Sequence, residues 1–258
     1  MEKCSSNKIY NKHTGKYVSK NGKIGQAILN GTYIYGEKKD KNIKERYKYN
    51  KNLSEEANML QIIYKTYIKY LKYGSRSPKK VDYFHEAIKD LFIQFFFSKE
   101  KGYDVRTEYC IESYNCSNKK VCDIVILKNN IPFIVCPVKI IMTNYKQNRN
   151  NYIENLTGEI TLIKWKNPNI HIIPINIIMS EVPYLKNSKK IKKFENISSN
   201  DFKNYNELLH NNFCYDIINY IIQVEHSKKE NEYFDEIPPI TKFETEYRPF
   251  SFILKDLL

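Results

Sequence analysis

The chain lacks several features that mark whole classes of protein. Its six cysteines are too few for a disulfide framework in 258 residues, and no segment resembles a signal peptide. The strongest apolar run, residues 170 to 179, contains a proline and falls well short of the roughly 18 residues of a membrane-spanning helix. We therefore expect a cytoplasmic protein with no membrane partner.

Two common ligand-binding motifs are also missing. Five of the eight glycines fall between Gly15 and Gly36, but this segment lacks the Gly-Lys-Ser/Thr ending of a phosphate-binding loop. Cys110, Cys116 and Cys122 are evenly spaced, with five residues between neighbours. That spacing lies outside the short intervals usual for zinc ligands, so we do not predict a zinc site.

Positive charge is abundant, with a formal net charge of +13. Nucleic acid is the first candidate partner, because lysines and arginines that neutralise phosphates release condensed counterions. An alternative cause is a genome very rich in A and T, since Lys, Asn, Ile and Tyr dominate the whole chain. Charge alone therefore favours a nucleic-acid partner but does not establish one.

Hydrophobic periodicity predicts an α/β protein. Residues 54–73 form a helix that Ser54 can cap and Gly74 can end, with one apolar stripe. The next elements follow in the order helix, three strands, helix and strand: 77–96, 103–111, 121–127, 131–140, 145–165 and 170–179. This order predicts a mixed central sheet flanked by helices.

Three segments follow from this organisation. Residues 1–76 are expected to be an N-terminal extension of loops, short hairpins and one helix, residues 77–180 a core, and residues 181–258 a C-terminal helical elaboration. A helix is expected within residues 202–226. We expect the three parts to pack as one compact unit.

Two charges stand in strands that are otherwise suited to burial. Asp123 lies in "VCDIVIL" and Lys139 in "FIVCPVKIIM", and a predicted hairpin turn separates the two strands. Residues about equally far from such a turn are neighbours on paired strands, so the two side chains can reach one patch of the sheet. A charge in a buried strand is costly unless it is paired or binds a metal.

This pattern resembles the PD-(D/E)xK nuclease superfamily, which includes most type II restriction endonucleases, over roughly residues 80 to 180. The resemblance implies a restriction-endonuclease-like core with N- and C-terminal elaborations. It also implies that Asp123 binds Mg²⁺ and that Lys139 assists the attacking water. Cys122 replaces a common proline, and Pro137 stands where the family places a second acid, two residues before the lysine.

The following helix offers a replacement for that acid. A branch of restriction enzymes in this superfamily carries the second acid on the helix after the lysine strand, and Glu154 follows Lys139 by fifteen residues. Glu159 comes five residues later and faces about 140 degrees away on a helix. We predict that Glu154 is the second catalytic and metal-binding acid, with Glu159 in reserve.

Other side chains are weaker candidates. Glu86 shares a helix face with Asp82, from which several members of the superfamily supply an extra metal carboxylate. Glu108 on the preceding strand is another possible ligand, and His85 can polarise water, although a lone histidine beside a helix core is usually packed. A solvent-exposed or purely structural role is the alternative for each.

Hydrogen-bonding groups are dense at the start of the helix after Lys139. Side chains of these types can read base edges or contact phosphates, so we predict DNA contacts there. The residues concerned are Lys146, Gln147, Asn148, Arg149 and Asn151.

Together these features predict a Mg²⁺-dependent, sequence-specific endonuclease that acts on double-stranded DNA as a homodimer, as in type II restriction enzymes. The alternatives are a repair or recombination nuclease of the same fold and a catalytically inactive DNA-binding protein, in which Pro137 marks a lost site.

Overall fold

A computed structural model describes residues 7–11, 16–22, 26, 29–30, 47–74, 77–95, 102–186 and 189–257. The chain divides into two compact units, Met1–Glu45 and Arg46–Leu258. The boundary falls inside the strongly charged stretch 37 to 53 and not at residue 76. The helix that we assigned to the N-terminal extension therefore belongs to the larger unit.

The smaller unit contains a β-hairpin. Strand β1 (Lys8–Asn11) pairs antiparallel with β2 (Lys16–Ser19), as expected for this segment. Most of the predicted glycine-rich loops, including Gly25, Gly31 and Gly36, lie outside the described residues.

The first two predicted helices are confirmed. Helix α1 (Glu55–Tyr73) begins where the Ser54 side chain accepts a hydrogen bond from the Ala57 amide, and it ends at Gly74, whose φ is 83°. Helix α2 (Lys79–Phe95) follows Ser77, whose hydroxyl accepts a hydrogen bond from the Lys79 amide. Both helices pack against each other, and α2 also packs on strands of the sheet.

The described residues of the larger unit also form one further long α-helix, two short ones, a 3-10 helix (Ser199–Phe202) and ten strands. The helices are α3 (Tyr145–Lys166), α4 (Lys203–His210) and α5 (Phe250–Leu254). The strands are β3 (Tyr103–Glu112), β4 (Lys119–Lys128), β5 (Ile131–Cys136), β6 (Val138–Ile141), β7 (His171–Ile172), β8 (Ile175–Met179), β9 (Glu181–Lys186), β10 (Lys190–Asn196), β11 (Ile218–Val224) and β12 (Ile240–Phe243).

The prediction of mixed sheets flanked by helices is confirmed. One four-stranded sheet has the order β3-β4-β5-β7, in which only the β5–β7 pair is parallel. The other has the order β6-β8-β11-β12, in which only the β11–β12 pair is antiparallel. Strands β9 and β10 form a separate hairpin.

Two prolines mark the join between these two sheets. Paired residues are 37 positions apart in the sequence on both sides of the join, since Ile134 pairs with His171 and Val138 pairs with Ile175. Pro137 therefore lies level with Pro174. The Ile173 amide donates to the Val135 carbonyl (2.9 Å) and the Ile175 amide to the Pro137 carbonyl (2.8 Å). Parallel pairing therefore continues across the prolines.

The C-terminal part differs from the expectation. A helix is present within residues 202–226, but Ile218–Val224 is a strand that pairs parallel with β8, and β12 extends the sheet further. The run "INYIIQV" is almost continuously apolar, and periodicity cannot distinguish a buried strand from a buried helix in so short a run. The core therefore continues well beyond residue 180.

One cluster of buried apolar side chains, drawn from both sides of the sheet, forms the core of the larger unit. Among the described residues, no helix combines the length and apolar character needed to cross a membrane.

Candidate metal centre

The site begins at an irregularity between β3 and β4. These strands pair regularly at Thr107 with Ile124 and at Tyr109 with Cys122, so Glu108 and Asp123 face each other between those pairs. Glu108 has a φ of 49°, a left-handed conformation that is uncommon for a residue other than glycine and costly within a strand. The distortion interrupts the ladder where two carboxylates meet.

His85 of α2 completes a group with these two acids. One potential ligand atom from each of His85, Glu108 and Asp123 lies within 4.8 Å of the other two. His85 Nδ1 is 2.8 Å from Glu108 Oε1, and the imidazole is 1% exposed whereas the Glu108 side chain is 52% exposed. Asp123 is half-buried. The group is thus buried on the side of His85 and open to solvent on the side of Glu108.

The donor set fits a divalent metal ion. Two carboxylates and an imidazole are ordinary protein ligands for such ions. The second ring nitrogen of His85, Nε2, is buried without a hydrogen-bond partner among the described residues, and buried polar atoms of this kind need an explanation. This group can therefore bind a metal ion.

The backbone amide of Val138 orients Asp123. Pairing of β4 with β5 ends at Ile124 and Cys136, and the next residue, Pro137, has no amide hydrogen to donate. The following amide, that of Val138, donates a 2.7 Å hydrogen bond to Asp123 Oδ2. One carboxylate oxygen is thereby fixed.

The two glutamates of α3 have different surroundings. Burial raises the pKa of Glu159, nearby Asp123 raises it further, and the ammonium groups of Lys120 and Lys139 oppose the rise. Glu159 Oε1 is 3.4 Å from Lys120 Nζ, and the Glu159 side chain is 13% exposed. Glu154 is exposed to solvent. The structure thus brings Glu159, and not Glu154, into the electrostatic field of Asp123.

Lys139 lies on β6 two residues after Pro137, half-buried and close enough to Glu159 to influence its pKa. Within the described residues, its ammonium forms no hydrogen bond or ion pair. Asp123, Glu159 and Lys139 are therefore brought together around one end of the β4–β5 pairing.

The other acid candidate, Glu86, has different partners. It accepts a hydrogen bond from the Thr107 hydroxyl (2.5 Å) and lies 3.5 Å from Lys89 Nζ, and it is not part of the metal-binding group. Neither is Asp82, which precedes it by one turn of α2. These contacts describe a structural role between α2 and β3.

Most of the predicted DNA contacts lie on the surface. Lys146, Gln147, Arg149 and Asn151 are exposed, and Arg149 is 3.7 Å from Asp201. The start of α3 is not a free phosphate site, however.

The carboxylate of Glu195, itself only 4% exposed, accepts a 2.9 Å hydrogen bond from the backbone amide of Lys146. A protein carboxylate already occupies the positive end of this helix. Any phosphate contact there must come from side chains.

Asn148 instead lines a cleft of about 620 Å³ beside the C-terminal end of β6. Tyr70, Lys80 and Tyr152 also line it, and Lys80 Nζ lies 4.6 Å from the centre of the Tyr70 ring. Burial lowers the pKa of Lys80. None of the three residues of the metal-binding group lines this cleft.

Sequence reasoning gave His85 and Glu108 a minor place because neither belongs to the family pattern. They are 23 residues apart, and only the packing of α2 on β3 brings them together. The one sequence feature that pointed to His85 was its position three residues after Asp82, on the predicted helix that precedes the strands.

No protein-family model, curated protein or solved structure matches this chain.

Proposed function

We propose that the chain is a divalent-metal-dependent endonuclease that acts on double-stranded DNA. The observation that carries the proposal is the meeting of a possible metal-binding group, His85, Glu108 and Asp123, with an ammonium and a second acid, Lys139 and Glu159. Phosphodiester hydrolysis needs these components. The net charge of +13 supports a polyanionic substrate.

Each residue has a proposed role. Asp123, Glu108 and His85 would hold the divalent ion, which when bound would supply charge compensation at the phosphate and a more acidic water. Lys139 donates hydrogen bonds to the phosphate oxygens, and Glu159 accepts a proton from the attacking water, a role that its raised pKa suits. We assign the second acid to Glu159 in place of Glu154, because Glu154 faces solvent.

Mg²⁺ is the proposed ion on the family resemblance, since the carboxylates suit it. The imidazole of His85 adds a ligand that Mn²⁺ accepts more readily than Mg²⁺ does, so we expect Mn²⁺ to support the same reaction. Sequence specificity and a homodimer, as in restriction enzymes, complete the proposal.

The test is incubation with long linear duplex DNA and supercoiled plasmid in Mg²⁺ or Mn²⁺. Discrete fragments support a restriction-type enzyme, whereas digestion from ends or at branched junctions supports a repair-type nuclease. Asp123→Asn must abolish cleavage, whereas Asp104→Asn, the same change at a residue of β3 that pairs with Arg106 outside the metal-binding group, must preserve it. DNA binding without cleavage by the wild type overturns the enzymatic proposal.

A further inference from the structure

A row of three polar side chains crosses the central sheet. Lys139 of β6 is in register with Asn176 of β8, and Asn176 is in register with Asn219 of β11. Both pairings are parallel, and residues in register on parallel neighbours project from the same face. The three side chains therefore stand side by side.

Asn176 is an unusual residue for its strand. All five residues of β8 are buried, and Asn176 is 1% exposed. Its Nδ2 donates a 2.8 Å hydrogen bond to Asn219 Oδ1. Its Oδ1 has no partner among the described residues, and a buried amide oxygen without a partner is costly.

The direction of this oxygen follows from the amide geometry. The two polar atoms of an amide point in divergent directions, so an Nδ2 that points to β11 leaves Oδ1 turned away from β11. Lys139 occupies the facing position on β6, the neighbour on the other side, about 4.8 Å away as neighbouring strands are spaced. A change of rotamer along the four-carbon stem can bring the ammonium to Oδ1.

We propose that Asn176 is a positioning residue for Lys139, whose ammonium donates a hydrogen bond to Asn176 Oδ1. This inference rests on the proposed nuclease function and extends it. Among the described residues, Glu159 interacts electrostatically with Lys139, and Asp123 and Lys120 interact with Glu159 in turn. A neutral amide fixes the direction of the ammonium without cancelling its charge, which stays available for the phosphate.

The first readout does not depend on cleavage. The rate at which an amine-reactive acylating reagent labels Lys139 is followed at one fixed pH by mass spectrometry. Asn176→Leu should raise this rate by about 3-fold or more, because loss of the acceptor frees the Lys139 side chain from its fixed position. Asn204→Leu makes the same change at an exposed position of α4; it is the control and should leave the rate unchanged.

The second readout is the kinetics of DNA cleavage. Asn176→Leu should lower kcat by about 10-fold or more with little change in KM, since orientation matters mainly in the transition state. Asn176→Asp keeps the shape of the side chain and serves if the leucine variant does not fold. Equal labelling rates of Lys139 in all variants overturn the proposal and leave Asn176 as a structural residue.

The two failures are distinguishable. A changed labelling rate of Lys139 in Asn176→Leu, in a protein that never cuts DNA, supports the contact and overturns only the nuclease function. Cleavage that needs Asp123 and Glu159 but does not respond to substitution of Asn176 overturns the contact alone.

Discussion

The amide of Val138 donates a 2.7 Å hydrogen bond to the Oδ2 atom of Asp123, across the point where β4 and β5 cease to pair. The Ile175 amide donates to the Pro137 carbonyl, so the backbone of Pro137 faces β8 and the amide of the next residue, Val138, faces β4. A backbone amide beside the residue that departs from the family pattern therefore orients Asp123. On the proposed function, the second acid comes from another element.

The first prediction concerns which glutamate of α3, Glu159 or Glu154, is the second catalytic acid. Glu159→Gln should lower the rate of DNA cleavage by about 100-fold or more, the usual effect of removing a general base. Glu154→Gln makes the same change on an exposed part of the same helix and should cut at the wild-type rate. Initial rates on plasmid DNA measure both, and the reverse result would restore Glu154 as the catalytic acid.

The second prediction concerns the imidazole. His85→Phe keeps a ring in a buried position but removes both nitrogens, so Mn²⁺ affinity should fall by about 10- to 100-fold, as for other losses around a metal. Isothermal titration calorimetry measures the affinity without DNA.

His171→Phe is the matched control, because His171 packs between the rings of Phe133 and Tyr215, outside the metal-binding group. Unchanged Mn²⁺ binding in His85→Phe would show that the imidazole is only a packed ring.

The third prediction follows from the raised pKa of Glu159, caused first by burial. A carboxyl whose folded-state pKa exceeds its unfolded value binds protons more tightly when folded, so its effect on stability becomes less favourable as pH rises through the folded-state pKa. Glu159→Gln should therefore gain stability relative to the wild type between acidic and neutral pH. Urea unfolding at several pH values measures this, and a pH-independent difference would contradict it.

Lys120 gives an independent check on the same carboxyl. Its ammonium lowers the pKa of Glu159, so Lys120→Met should raise that pKa and move the acidic limb of the cleavage rate to higher pH. An unmoved limb would mean that Glu159 does not titrate in the rate-limiting step.

The fourth prediction concerns the cysteines beside Asp123. Burial raises the pKa of Cys122 and of Cys136 to about 12, whereas Cys110 and Cys116 are exposed. At pH 8 a maleimide should label the exposed pair rapidly and the buried pair only after unfolding. Peptide mass spectrometry separates the four sites. Rapid labelling of Cys122 or Cys136 in the native protein would mean that the strands around Asp123 open readily.

The sequence predicted the order and approximate bounds of the core elements because their caps and periodicity are local. It could not predict that Glu108 adopts a left-handed conformation, since glutamate has no preference for one, nor that α2 brings His85 to it. The apolar stripe of α1 shows the same limit. By their spacing, Tyr67 and Ile68 both belong to this stripe. Tyr67 is buried, whereas Ile68 is 43% exposed, because the elements that pack on the helix determine which side of the stripe is buried.

The last prediction restores the family arrangement. Pro137 lies next to Asp123 in the register of β4 and β5, so an acid there can replace one lost from α3. In a Glu159→Gln background, Pro137→Asp should recover measurable cleavage. Pro174→Asp, level with it on the next strand but farther from Asp123, should not. Plasmid cleavage by the two double variants, with circular dichroism to confirm folding, measures the difference. Equal inactivity in two folded variants would contradict this prediction and mean that an acid at position 137 cannot take over the role of Glu159.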